Sequence, residues 1–283
     1  MSNRAFRKSS SGRSERELTS ARFLRWQAER SVDRNESNDE GGREMSRETA
    51  DEAVDHYSRK RDHSLTERGN SEIMGVRKFH NWIKRTLIRE YCPYGGDMVT
   101  VLDICGGKGG DFHKWAEEAN VGHVVLIDAA RGSIDDALER YREFHWNKNQ
   151  WHFGVTFVCA DCFGADLHAI LPPHLSFDFA SCQFALQYAF SSEERIRGLL
   201  RNVSIRLKPG CSFIGTIPDA EFLIKKLKES PSPSFGNDLY HVTFPAKIDG
   251  RFADFGSSYR FYLREAVDDV LECKDQSSSH GLR

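Results

Sequence analysis

Three aspartates, a glutamine and a glycine-rich turn sit where chemistry could be done. Asp103 nearly closes the apolar run Met98-Val-Thr-Val-Leu-Asp-Ile104, which leads into Cys105-Gly-Gly-Lys-Gly-Gly110. Asp128 closes Val124-Val-Leu-Ile127, Asp161 follows the run Val155 to Ala160, and Gln183 ends the run Phe177 to Gln183, with Tyr188 just beyond. Small residues in a turn let backbone approach a ligand closely, and a carboxylate at the end of the next strand suits a pair of ribose hydroxyls. The pattern points to a nucleoside-bearing ligand.

Three kinds of glycine loop compete for this turn. A phosphate-cradling Walker A loop needs Ser or Thr after its lysine, and Gly109 follows Lys108. A dinucleotide loop wants G-x-G-x-x-G, which Cys105-Gly106-Gly107 does not supply in register. The third is a loop for S-adenosylmethionine, which has no pyrophosphate to cradle and carries a cationic sulfonium and amino group. Acid at Asp103, Asp128 and Asp161 suits that cation better than it suits a phosphate.

The elements that must position these residues follow from hydrophobic spacing. Phe79, Trp82, Ile83, Leu87 and Tyr91 recur at helical spacing, so the sequence predicts an amphipathic helix ending before Cys92-Pro93, with that apolar face docked. Strands at Met98–Ile104, Val124–Ile127, Val155–Ala160, Phe177–Gln183 and Ser212–Ile217 alternate with helices through Trp115, over Ile134–Phe144 and over Ser191–Leu207. Ile196, Leu199, Leu200, Val203 and Leu207 share one face of the last helix, Ser191-x-x-Glu194 has the form of a capping box, and Pro209-Gly210 is expected to stop it. Such alternation predicts an α/β fold with a mostly parallel sheet covered by helices on both faces. Ligands of such sheets bind at the carboxyl ends of the strands.

Composition bounds the rest. The chain has 283 residues, 39% hydrophobic and 29% charged, with Lys+Arg 40 against Asp+Glu 42, so nucleic-acid contact should be local rather than spread over a basic face. No apolar run reaches the roughly 20 residues of a membrane span, and no apolar segment follows the basic residues of Met1 to Ser11, which argues against membrane and secreted readings. Seven cysteines with a single C-x-x-C (Cys159, Cys162) fit reduced thiols, and His56, His63 and His80 lie too far apart to suggest a metal site. Residues 1–53 are polar and are expected to be a disordered tail, with at most a brief partner-bound helix near Leu18 to Trp26; residues 54–268 form the ordered domain, and 269–283 a second polar tail.

Several motifs carry a resemblance to a known family. His56-Tyr57-Ser58, Phe79-His-Asn-Trp-Ile-Lys84, Val101-Leu-Asp-Ile-Cys-Gly-Gly-Lys-Gly-Gly-Asp111, Lys114-Trp115, Ser181-Cys-Gln-Phe184, Arg201-Asn202, Leu207-Lys-Pro-Gly210 and Phe213-Ile-Gly-Thr216 resemble the eukaryotic mRNA cap guanine-N7 methyltransferases, with a plant-like flavour in His56–Arg59 and Gly132-Ser133-Ile134. The resemblance implies a class I, Rossmann-like methyltransferase domain binding S-adenosylmethionine through Lys84, Asp103, Cys105, Gly107, Asp128, Asp161, Gln183 and Tyr188. It would place the cap guanosine and its triphosphate near His80, Asn81, Lys108, Lys114, Arg140 and Gln187. It implies a 5′-capped RNA substrate, possible contact with capping and transcription machinery, and a nuclear setting. Guanine N7 carries a free lone pair, so no acid or base residue is assigned; orientation is expected to supply the catalysis.

The chain also departs from that family's pattern. Cys105 and Gly106 stand where Gly or Ala and then Cys are usual, and His80 and Gln187 replace the usual residues before Asn81 and Tyr188. After Ala266-Val-Asp268 the sequence diverges, and Leu271 falls where the family aims a Glu at the cap base. The C-terminal strands are therefore expected to be incomplete, leaving Tyr259 to Leu263 as an unpaired edge. A form that binds cofactor or a partner without turnover is the alternative, and a small-molecule methyltransferase the third reading.

Overall fold

The computed structural model describes residues 21–25, 51–60, 71–93, 96–147, 151–245 and 253–273. A parallel sheet runs through its centre in the order β1-β4-β3-β2-β5-β6, built from β1 (Ala21–Arg25), β2 (Val99–Ile104), β3 (Val121–Asp128), β4 (Gly154–Cys159), β5 (Phe177–Gln183) and β6 (Leu207–Thr216). The chain leaves β2 in one direction through β3 to β4, then returns to the other side of β2 for β5. Strand order thus reverses at β2, and Asp103 and the glycine loop lie at its carboxyl end, where sheets of this kind take their ligands.

Alternation along the strands makes two cores. Leu102, Ile104, Val125, Ile127, Val158, Ala180 and Cys182 pack on one face with Leu199 and Val203 of α6 (Glu193–Arg206) and Ala53 of α1 (51–59). Val99, Val101, Val124, Leu126, Phe157 and Phe179 pack on the other. They meet α2 (Met74–Tyr91), α3 (Phe112–Glu118) and α4 (Arg131–Arg142) through Ile88, Phe112, Trp115, Ile134 and Tyr141. Both faces are thereby dry, which is why these strands tolerate near-continuous apolar sequence. The remaining helices are α5 (Leu167–Ile170) and α7 (Ala220–Glu229).

The parallel sheet and its helical layers agree with the sequence reading, and several expectations need correction. Ala21–Arg25, assigned to an unordered tail or brief helix, is a strand that covers the open edge of β4. The rest of that tail and residues 274–283 lie outside the described residues. Helix α1 starts at 51, inside the expected tail. On α2 Ile88 is buried and the expected Leu87 packs against the same core, whereas Phe79, Trp82 and Tyr91 are exposed. On α6 Leu200 is exposed, and the N-cap is Ser192, which accepts from the Arg195 amide, rather than Ser191. The helix ends at Arg206, and Pro209-Gly210 lies inside β6 at a register shift.

The C-terminal expectation is also overturned. Strands β7 (Ser234–Gly236), β8 (Tyr240–Thr243), β9 (Ser258–Leu263) and β10 (Val267–Cys273) form a second, antiparallel sheet in the order β10-β9-β8-β7. Strand β9 is paired on both sides. A register shift between Val267 and Val270 lets both valines turn into the main core, although an odd spacing would place them on opposite faces of a regular strand. Tyr259, Val242 and Phe244 pack under Leu223 and Leu227 of α7.

Candidate functional site

The loop after β2 turns by left-handed backbone: Cys105, Gly107 and Gly109 have φ of 53°, 55° and 65°. A Cβ on Gly107 would meet nothing within 4 Å, so this backbone faces open space, whereas one on Gly109 would strike the Phe112 ring. Cys105 bears a side chain in this unfavourable region, with its Sγ 3.9 Å from Cys162 Sγ.

Asp103 lies on the sheet face under α3, 1% exposed, where the Trp115 indole donates to Oδ2 at 3.3 Å. Burial, then the neighbouring Asp111 carboxylate, push its pKa up to about 7. Asp111 is the hub of a buried triad: Lys84 Nζ lies 2.7 Å from Oδ2 and Lys114 Nζ 2.9 Å from Oδ1. Burial alone would raise the Asp111 pKa, but the two ammoniums hold it low, while burial depresses that of Lys114.

Asp128, at the end of β3, accepts from the Gly107 amide at 2.9 Å and from the Ala130 amide at 2.8 Å; burial raises its pKa to about 6. One carboxylate thus ties the glycine loop to the start of α4 and keeps lone pairs for a ligand. Asp161 is gripped in a fork by Arg195, at 2.8 and 3.1 Å, and accepts from the Phe163 amide. Gln183 accepts from Thr216 Oγ1 and donates to Ser181. The Tyr188 hydroxyl lies 3.4 Å from that of Tyr57, which brings α1 beside Tyr188.

The residues expected to meet the cap divide into two groups. His80, Lys84 and Gln187 converge on Phe184: the His80 ring stacks on it at 4.3 Å, Lys84 Nζ lies 5.5 Å from its centroid, and Gln187 donates to its carbonyl. Burial, then the Lys84 ammonium, lower the His80 pKa and so favour the neutral ring. Asn81, next to His80, is exposed. Lys108, Lys114 and Arg140 surround the glycine loop instead, and both lysines are paired with carboxylates. Lys114, 4% exposed, faces Asp111 and the Gly110 carbonyl; Lys108 pairs with Asp136 at 2.5 Å and donates to the Lys60 carbonyl. Arg140 reaches to within 3.9 Å of a Cβ position on Gly110.

Sequence reasoning assigned no role to Asp111, Phe184, Arg195 or Tyr57. Asp111 was legible as the i,i+3 partner of Lys114 across the helix start. Phe184 has φ of 59°, an uncommon state, with its ring against His80 and near Lys84, and nothing in the sequence signals that backbone state. Arg195 carries no signal either, being one of many charges on a helix surface.

Comparison with known proteins identifies a family. The family described as the mRNA (guanine-N(7))-methyltransferase domain matches residues 41–273. The mRNA cap guanine-N(7) methyltransferase 1 of Oryza sativa subsp. japonica is 42% identical over 228 residues, 78% of this chain and 61% of that protein. Its counterpart of the same name in Arabidopsis thaliana is 40% identical over 80% of this chain and 62% of that protein. The Schizosaccharomyces pombe mRNA cap guanine-N(7) methyltransferase is 38% identical over 84% of this chain and 67% of that protein. The chain therefore spans about three fifths of the length of the plant relatives it matches.

Proposed function

The chain belongs to the mRNA (guanine-N(7))-methyltransferase family, and from that premise we propose that it transfers the methyl of S-adenosylmethionine to N7 of the terminal guanosine of capped RNA. The observation that carries the reading is the reversal of strand order at β2, with acid at Asp103 and Asp128 around a left-handed glycine loop whose Gly107 backbone faces open space. The donor set fits the cofactor. Carboxylates suit its amino group, sulfonium and ribose hydroxyls, and the Gly107 backbone, facing open space, admits the ligand without a Cβ in the way.

When bound, S-adenosylmethionine supplies an electrophilic methyl on a sulfonium. Asp128 would offer lone pairs to ribose hydroxyls, with Asp161 beyond it after β4 and Gln183 on the other side of β2 at the end of β5, and Lys84, held by Asp111, stands beside Phe184. His80 and Phe184 offer a stacked, neutral aromatic wall to a guanine ring. No residue has to take a proton, because N7 attacks through a free lone pair; the chain's contribution is alignment and exclusion of water, worth up to several kcal/mol. Recognition of capped RNA, contact with capping and transcription machinery and a nuclear place of action follow as parts of this reading, supported by the names of the relatives.

The test is transfer of labelled methyl from S-adenosylmethionine to a GpppN-capped RNA, beside calorimetric binding of the cofactor on the same preparation. Label in N7-methylguanosine after digestion supports the proposal. Cofactor binding with no transfer would instead identify a form that holds cofactor without turnover.

A further inference from the structure

Phe79 and Trp82 have no place in the site described above, yet they stand beside it. They are 57% and 61% exposed on consecutive turns of α2, with rings stacked at 6.0 Å and 20°. The Phe79 ring lies 6.4 Å from His80, whose ring lies 4.3 Å from Phe184. A row of four rings thus runs from the end of β5 across α2 and out into solvent.

We propose that Phe79 and Trp82 form a stacking platform for the RNA chain leaving the capped end, so that nucleotides downstream of the cap are held on α2. This inference rests on the capped-RNA reading above. Single exposed apolar residues are ordinary, but two large rings stacked on each other beside the candidate site make a contiguous patch of the kind that marks a binding surface. Its surroundings suit a polyanion. Lys78, next to Phe79, is exposed with no ion pair among the described residues, while Arg77, Lys84, Arg85 and Arg89 of the same helix are paired with Glu265, Asp111, Glu117 and Glu118. Every base presents a π face, so aromatic stacking accepts any sequence, which is what an enzyme acting on many transcript starts requires.

The test compares a labelled capped oligoribonucleotide, short and unstructured, with the capped dinucleotide GpppG. Each is titrated by anisotropy against the full chain and assayed for methyl transfer. The oligonucleotide should bind about tenfold more tightly than GpppG, the order expected of one stacked base. Phe79→Ala with Trp82→Ala should abolish that advantage and leave transfer to GpppG and the melting temperature as in the parent. Trp82→Phe, which keeps a ring, should retain most of it. Equal affinity for both ligands, with GpppG still methylated, overturns the platform and leaves the cap reading standing. Failure to methylate either ligand overturns the cap reading, and the platform with it. Retention of the oligonucleotide advantage by the double alanine variant, with loss of a copurifying protein, assigns the surface to a protein and overturns the inference.

Discussion

Replacement of Asp111 by Asn tests the electrostatic logic of the site most directly. The Lys114 ammonium is almost entirely buried, with Asp111 at 2.9 Å and the Gly110 carbonyl at 3.2 Å, and the same carboxylate holds Lys84 at 2.7 Å. Removing one partner of a buried pair typically costs about 3–5 kcal/mol, because the remaining charge is left in a dry site. The Asn amide oxygen still accepts one hydrogen bond, which returns about 1 kcal/mol. Asp103, relieved of an acidic neighbour, also ionises more readily and offers Lys114 some compensation. The net expectation is about 2–4 kcal/mol of lost stability, or about 4–16 °C in melting temperature for a domain of this size.

Chemical and thermal denaturation of parent and variant measure this loss, and adding Lys114→Met to Asp111→Asn tests its cause. If the loss comes from a stranded ammonium, the double variant is more stable than Asp111→Asn alone, with a coupling of about 1 kcal/mol or more. The pH dependence carries the same signature. Burial already depresses Lys114 below its unfolded value, and losing Asp111 depresses it further. The unfolded state then binds more protons than the folded one, so the variant's stability rises with pH from the depressed folded value to about 10.4. A melting temperature within about 2 °C of the parent, or strictly additive effects in the double variant, would refute the reasoning.

Two further outcomes follow from the same geometry. Asp103 titrates near 7 when folded, above the ordinary carboxylate value of about 3.9, so between those values the folded chain holds a proton the unfolded chain has lost. Its contribution makes stability fall as pH rises through that window, and Asp103→Asn should flatten this part of a plot of urea midpoint against pH; an unchanged slope would contradict the assigned burial. Arg195→Lys replaces the fork on Asp161 with a point charge and should weaken S-adenosylmethionine binding by about three- to tenfold by calorimetry, with kcat at saturating cofactor little changed. Unaltered affinity would show that the fork does not set the Asp161 carboxylate for the ligand.

The parts of the fold legible in the sequence were those written in periodicity. Buried parallel strands such as Val124 to Ile127 need only apolar runs bounded by turns, and the polar residues closing them stand out by contrast. The second sheet was not legible, because Val267 and Val270 are separated by two aspartates and share a face only through a bulge, which no alternation pattern encodes. The exposed face of α2 was misread for the opposite reason. Phe79 and Trp82 have core-like spacing, and spacing cannot tell a docked aromatic face from one left open for a ligand. In the site, strand-end carboxylates were readable by position, but the way cations are shared among them depends on distances across elements far apart in sequence.

If the chain takes capped RNA as proposed, that sharing favours one lysine over the other for its triphosphate. Both Lys108 and Lys114 are matched to carboxylates, so chain position alone gives them equal claim. Their environments do not. Lys108 faces Asp136 with side chains 18% and 36% exposed, a pairing of the partly solvated kind, close to the typical 0–1 kcal/mol of surface pairs, and an anion can replace that carboxylate without stranding either partner. Lys114 faces Asp111 with side chains 5% and 6% exposed, and turning it outward would leave Asp111 with Lys84 alone. Of the two pairings, that of Lys108 with Asp136 is the one an anion would displace at the lower cost, and that of Lys114 is the one whose loss would leave Asp111 to Lys84 alone.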